Sequence, residues 1–141
     1  MLRASIDLGT NTCLLLIAET GDQEKAGIAG IVEDHASIVR LGQGVDKYKV
    51  FHPYALSRAR TCLEDFRKEI ELFKPEKILA VATSAARDVS NSEELFKIGL
   101  ENNIPTLTYE VQRELPFDHI IKIHVPAIIE GLKHSVKIRN K

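Results

Sequence analysis

Apolar positions are spaced in two different ways along this chain, and the change of spacing divides it into elements. Up to about residue 41 they come in short β-type runs. "LRASIDLG" is the first and "CLLLIAE" the second, with small polar residues between them. The charged stretch "GDQEK" reads as a turn. "AGIAGIVEDHASIVRLG" carries one or two further strands, with Ile31, Val32, Ile38, Val39 and Leu41 as core candidates. Adjacent strands are therefore expected over residues 3–8, 12–19 and 27–40. Gly42 and Gly44 bracket a loop, "GQGVDKYKVF". From His52 to Phe73 the spacing becomes three and four. Ala55, Leu56, Ala59, Cys62, Leu63, Phe66, Ile70 and Phe73 make one stripe of an amphipathic helix. Arg58, Arg60, Glu64, Arg67, Lys68, Glu69 and Glu71 lie mostly off that stripe and read as a solvated face, and Pro75 stops the helix.

"KILAVAT" is a nearly continuous apolar run, as expected of a parallel strand covered on both faces. "SNSEELFKIGLENN" predicts a second helix, with Asn91 or Ser92 as N-cap and Glu93 and Glu94 in its first turn. "IPTLTYE" reads as another strand. Strands first, then helix, strand, helix, strand is an α/β order with a mixed sheet. After Tyr109 the pattern weakens. Ile128, Ile129, Leu132 and Val136 suggest a helix over residues 126–136.

Composition narrows the class. The chain has 141 residues, 44% of them apolar and 28% charged, with a formal net charge of −1. That is enough for one buried core, and it argues against disorder over most of the length. Nothing in the overall charge points to nucleic acid or a membrane surface. No apolar run reaches the roughly 18 residues of a membrane-spanning helix. Asp7 and Asn11 interrupt the N-terminal apolar stretch, against a signal peptide. Cys13 and Cys62 sit among apolar neighbours and read as buried, reduced thiols, which fits a cytoplasmic location.

Two places carry candidate chemistry. In "DLGTNT", Gly9 permits backbone conformations closed to other residues, and Thr10, Asn11 and Thr12 offer polar groups beside backbone N–H groups. Such a turn can cradle phosphate oxygens. Asp7, at the strand end, could hold a hydrated Mg²⁺. The plain alternative is an ordinary hairpin turn, since Asn and Gly favour turns. In "VATSAARD", an apolar strand ends in Thr83 and Ser84, and Arg87 follows. Ligands gather at the carboxyl ends of parallel strands, and a guanidinium can bind phosphate through two parallel hydrogen bonds. The alternative there is a helix cap with a surface arginine. His119, His124 and His134 share the tail without the spacing of a zinc site.

"ASIDLGTNTCLLLIAE", "VRLGQGV", a long helix and "ILAVATSAARDVSN", in that order, resemble the N-terminal domain of the exopolyphosphatase and guanosine-pentaphosphate phosphatase family over residues 2–104. The resemblance implies an actin-like fold of the sugar-kinase and Hsp70 type, with a ribonuclease H-like mixed sheet flanked by helices. In that fold two similar domains close over a cleft. Residues 77–82 should then pair beside the first strand, in parallel. It also implies Mg²⁺-dependent release of terminal phosphate from polyphosphate or guanosine pentaphosphate. By resemblance, Asp7 and Gly9 to Thr12 would contact metal and phosphate, and Thr83, Ser84 and Arg87 would hold the polyanion. The partners implied are that substrate and a second domain or a further copy of the chain, with neither membrane nor specific nucleic acid.

The chain departs from the family pattern after the first 110 residues. Where relatives carry a segment resembling S-G-x-E-E-A-R, this one reads "TYEVQREL". Glu110 is the candidate general base, Glu114 is the other carboxylate, and Gln112 stands where a glutamate is expected. An amide cannot accept a proton from water. No run resembling D-x-G-G-G-S, the second phosphate loop, occurs in the 141 residues. The division expected is residues 1–110 as the actin-like phosphatase domain and 111–141 as a divergent tail. Truncation, a shifted reading frame or a natural single-domain relative would each give such a sequence. Two readings follow: a phosphohydrolase domain, or a catalytically silent phosphate-binding or interaction module.

Overall fold

The alternation of the first strand sets the sheet. The structure is a computed structural model that describes residues 1–21, 28–82, 85–104 and 106–108. Strand β1 (Leu2–Leu8) buries Ala4, Ile6 and Leu8 and turns Arg3, Ser5 and Asp7 outward. Strand β2 (Thr12–Thr20) returns antiparallel and buries Cys13, Leu15 and Ile17 on the same face. Strand β3 (Ile28–Ile38) continues antiparallel at the sheet edge. Then come α1 (Val45–Tyr48), α2 (Pro53–Phe73), β4 (Lys77–Ala82), α3 (Ala85–Asp88), α4 (Ser92–Glu101) and β5 (Thr106–Thr108). The sheet order is β3-β2-β1-β4-β5, with β4 parallel to β1 and β5 parallel to β4. Residues up to Thr108 form one compact unit. The expected mixed sheet is present, and the strand over 77–82 lies beside β1 in parallel.

Helix α2 packs its stripe as the spacing requires: Ala55, Leu56, Ala59, Cys62, Leu63, Phe66 and Ile70 are buried and Phe73 is partly so. They share one core with Ile6, Leu8, Leu15 and Ile17 of the sheet and with Leu95 and Ile98 of α4. Burying a side chain of this size stabilises by about 1.5–3 kcal/mol. His52 caps α2 by accepting from the Tyr54 N–H, Pro53 opens it, and Lys74 closes it in the left-handed region at φ 50° ahead of Pro75. Both cysteines are buried free thiols. The Cys13 S–H donates to the Cys62 sulfur, which holds the Cys62 thiol below the ordinary range. That same bond, then burial, pushes Cys13 up.

Several expectations need correction. Val39 and Leu41 are core residues, but Ile31, Val32 and Ile38 are 63%, 38% and 66% exposed. The cause is register. On β3, Glu33, His35 and Ser37 stand opposite the buried Ile17, Leu15 and Cys13, so its polar residues take the helix-covered face. Ile38 and Ile31, opposite Thr12 and Ala18, take the other. β4 buries Ala80 and Ala82 on the helix side, and Leu79 and Val81 on its other face are half-buried. The segment "GQGVDKYKVF" is not all loop: Val45–Tyr48 is a single helical turn, closed by Lys49 at φ 54°.

Asn91 occupies the N-cap position of α4 but does not cap it. Its amide serves a longer connection: Oδ1 accepts from the Phe51 N–H at 2.8 Å and Nδ2 donates to the Phe51 carbonyl at 3.1 Å. Beside this, the Ser90 N–H donates to the Lys49 carbonyl at 2.9 Å. Residues 49–51 are thereby stitched to the start of α4. The turn expected over "GDQEK" and the helix expected over 126–136 lie outside the described residues. Among the described residues, no helix is long and apolar enough to cross a membrane. Asn91→Ala strands the backbone groups of the buried Phe51. The expected loss of stability is about 1–3 kcal/mol, read as a lower urea midpoint at unchanged slope.

Candidate functional site

The turn between β1 and β2 is held from within and from outside. Inside it, the Gly9 N–H donates to the Thr12 carbonyl at 3.1 Å. A Cβ on Gly9 would stand 2.6 Å from that same oxygen, so glycine is required by close approach. From outside, the "VRLG" segment docks onto it. The Asn11 carbonyl accepts from the Val39 N–H at 2.9 Å and the Arg40 N–H at 2.8 Å, and the Thr10 carbonyl accepts from the Gly42 N–H at 2.8 Å. Gly42 has no room for a side chain, because a Cβ there would lie 2.2 Å from Thr10 Cγ2.

These bonds orient the turn. A trans peptide points its C=O and N–H in opposite directions. With the Thr10 and Asn11 carbonyls committed to "VRLG", the N–H groups of Asn11 and Thr12 face away from it. Thr10 and Asn11 are exposed, Gly9 and Thr12 half-buried. Asp7 is exposed on the sheet face opposite the helices, in register with Leu14 and Val81. A carboxylate, backbone dipoles and small polar side chains thus occur together at the carboxyl end of β1.

The docking segment is itself anchored to α2. Arg58 Nε donates to the Val39 carbonyl at 2.6 Å, and Nη2 reaches Gln43 Oε1 at 2.7 Å and the Arg40 carbonyl at 3.4 Å. Arg58 is therefore not on a solvated face: it joins helix to loop. Its place three residues after the buried Ala55, at the margin of the apolar stripe, is the signal that sequence reasoning passed over. Arg60, Arg67 and Lys68 do sit at the surface, in exposed ion pairs with Glu101, Glu71 and Asp65.

The second candidate segment starts where β4 ends. The register closes at Leu8 opposite Ala82, so β1 and β4 release their chains at the same end of the sheet. Helix α3 follows, with Ala86 buried and Arg87 exposed, its Nε 3.2 Å from Asp88 Oδ1. Thr83, Ser84 and Glu110 lie outside the described residues. A groove between α2 and α4, lined by Pro53, Leu56, Ser57, Arg60, Glu94, Lys97 and Ile98, contains none of the candidate residues.

A model of the Ppx/GppA phosphatase family matches residues 17–104 of this chain. The chain belongs to that family. Among curated proteins, exopolyphosphatase 2 of Mycobacterium tuberculosis is 45% identical over 93 residues, covering 66% of this chain and 29% of its own length. A bifunctional 3-dehydroquinate synthase/phosphatase of Fusobacterium nucleatum is 41% identical over 99 residues, covering 68% of this chain and 15% of its own. The chain thus spans less than a third of the length of these relatives. Among solved structures, the Aquifex aeolicus Ppx/GppA family member superposes with a TM-score of 0.70 at 28% identity, over 77% of this chain and 35% of that one. An exopolyphosphatase from Cytophaga hutchinsonii gives a TM-score of 0.67 at 30% identity, over 77% and 34%.

The fold is accordingly the actin-like, ribonuclease H-like type expected from the sequence. The family match takes in "VRLG", α2, β4 and α4, while residues 7–12 of this Ppx/GppA member lie ahead of it. For the turn itself the collision at Gly9 supplies a test. Gly9→Ala must push the Thr12 carbonyl aside, at an expected cost of about 1–3 kcal/mol in unfolding free energy. Thermal or urea denaturation of this variant beside the unchanged chain measures it.

Proposed function

We propose that residues 1–110 form one wall of a phosphohydrolase cleft that takes the terminal phosphates of polyphosphate or of guanosine pentaphosphate. A second domain or a further copy supplies the other wall, and residues 111–141 are a divergent tail. Membership of a phosphatase family supports the reaction class, and the relative named exopolyphosphatase supports the substrate class. The observation that carries the reading is the turn after β1: the Thr10 and Asn11 carbonyls are tied down by "VRLG", which turns the Asn11 and Thr12 N–H groups the other way, toward the side where an anion would sit.

Phosphoryl transfer asks little covalent help of the protein, so positioning and charge stabilisation dominate. In this reading Gly9, Thr10, Asn11 and Thr12 hold phosphate oxygens from one side, and Thr83, Ser84 and Arg87 hold the polyanion from the end of β4. An exposed lone carboxylate suits Mg²⁺, which keeps several waters and takes only one or two protein carboxylates beside substrate oxygens. Asp7 would hold that ion, directly or through water, and the ion would neutralise charge on the phosphates. Glu110 is the proposed acceptor of the proton of the attacking water. A cytoplasmic setting belongs to this reading, in keeping with two buried free thiols.

The second reading, a binding module without turnover, draws on the sequence: no run resembling D-x-G-G-G-S is present. Each transition-state contact that is lacking costs about 10²–10³ in rate. The expected result for the 141 residues alone is negligible Mg²⁺-dependent phosphate release from long-chain polyphosphate. Robust release would show that residues after 110 complete the site.

Binding should persist. Exposed charge contacts are worth about 1 kcal/mol or less each, but several phosphates on one polymer add through effective concentration. Calorimetric titration with polyphosphate at low and moderate salt should show weak, salt-sensitive binding. Arg87→Ala should weaken it more than Arg67→Ala, since Arg87 follows the carboxyl end of β4, beside the end of β1, whereas Arg67 pairs with Glu71 on the surface of α2. Equal effects would mean that the turn and "ATSAAR" do not act as one site.

A further inference from the structure

The helix-covered face of β3 is polar where a core strand would be apolar. Glu33 and His35 stand opposite the fully buried Ile17 and Leu15, and Glu69 of α2 reaches the same place. One ligand atom from each of these three side chains lies within 4.8 Å of the other two. All three residues are half-buried. The pairing of β2 with β3 slips between Ile17 and Ala18, next to Glu33, leaving Val32 without an opposite number. Irregularities of this kind re-aim side chains and are frequent beside functional sites.

The decisive atom is His35 Nε2. It is cut off from solvent and makes no hydrogen bond, although Glu33 Oε1 is only 2.9 Å away. The two atoms are at ion-pair distance without a hydrogen bond between them. A buried polar atom without a partner costs about 1–3 kcal/mol, so such an atom asks for an explanation. A cation on the lone-pair axis of a neutral imidazole would supply the missing partner and draw on both carboxylates as well.

We infer that Glu33, His35 and Glu69 form a binding site for one first-row divalent transition-metal ion, of the Zn²⁺ kind, which clamps the edge strand β3 to helix α2. The donor set decides the class. One imidazole and two carboxylates suit Zn²⁺ and its neighbours, whereas Mg²⁺ and Ca²⁺ prefer oxygen alone and Cu⁺ prefers sulfur. Bonds of about 2.0–2.2 Å to nitrogen and oxygen bring tetrahedral ligand atoms roughly 3.3 Å apart. Glu33 Oε1 and His35 Nε2, now 2.9 Å apart, must part by about 0.4 Å to reach that spacing, and Glu69, half-exposed on a helix, closes the rest by side-chain rotation. Three protein ligands leave the fourth position to water. This site is separate from the Mg²⁺ proposed at Asp7, which projects from the opposite face of the sheet.

The test titrates Co²⁺, and separately Zn²⁺, into the full 141-residue chain. Co²⁺ d–d absorption reports the ligand field and calorimetry reports the stoichiometry. The expected result is one ion per chain, with a rise in Tm on saturation. Outer partners of a metal are worth about 10–100-fold in affinity, and a direct ligand is worth at least that. His35→Ala and Glu69→Gln should therefore each weaken binding at least about tenfold and abolish the Tm shift. Glu69→Gln, at a half-exposed helix position, keeps the test valid should His35→Ala fail to fold. A variant with His119, His124 and His134 all changed to alanine should bind as the parent does. Absence of saturable binding, binding that survives Glu69→Gln, or binding lost with the three tail histidines would each overturn the assignment.

Discussion

The three backbone hydrogen bonds from Val39, Arg40 and Gly42 to the carbonyls of Asn11 and Thr10 are the contact on which the candidate site depends. They join segments some thirty residues apart in sequence, and they decide which way the peptide groups of the first turn point. Without them the turn is an ordinary hairpin connection, free to present either carbonyls or N–H groups. With them its carbonyls are spent, and the positive ends of its dipoles face outward. An anion site made of backbone needs that polarity fixed in advance, because reorienting dipoles during reaction is what makes catalysis in water slow.

That contact is in turn supported from the core. Arg58 reaches from α2 to the carbonyls of Val39 and Arg40, and α2 is fixed by the apolar stripe that packs on β1 and β2. On the far side, the Asn91 amide ties Phe51 to the start of α4. Polar side chains therefore carry the fold's long-range connections, and apolar ones hold the elements they connect. The parallel pairing of β1 with β4 completes the arrangement by ending both strands at one edge, where "DLGTNT" and "ATSAAR" begin their loops.

The edge strand follows a different rule. Among the described residues β3 has a strand partner on one side only, and it turns Glu33, His35 and Ser37 toward α2 while leaving Ile31 and Ile38 exposed. An inward-facing polar edge resists pairing with another sheet. Here it also brings an imidazole and two carboxylates together under cover. The same inversion explains why hydrophobicity alone misplaced three isoleucine and valine side chains of this strand.

The sequence by itself determined the elements whose cause is local. The three-and-four stripe of α2, its stop at Pro75, the strand–turn–strand start and the apolar run of β4 were all legible. Periodicity reports which side of an element is greasy, and that suffices when a core covers it. The three family-like blocks, read together, also identified the fold. Tertiary structure alone decided what each polar residue does. Arg58 and Asn91 look like surface and cap in the sequence, yet their partners are backbone groups 19 and 40 residues away. His35 and Glu69 share no sequence neighbourhood, and only the register of β3 under α2 brings them together. Register is set by pairing across the whole sheet, and a slip of one residue would reverse every side chain of the strand. No local pattern encodes that choice, so the chemistry that rests on it becomes visible only once the chain is folded.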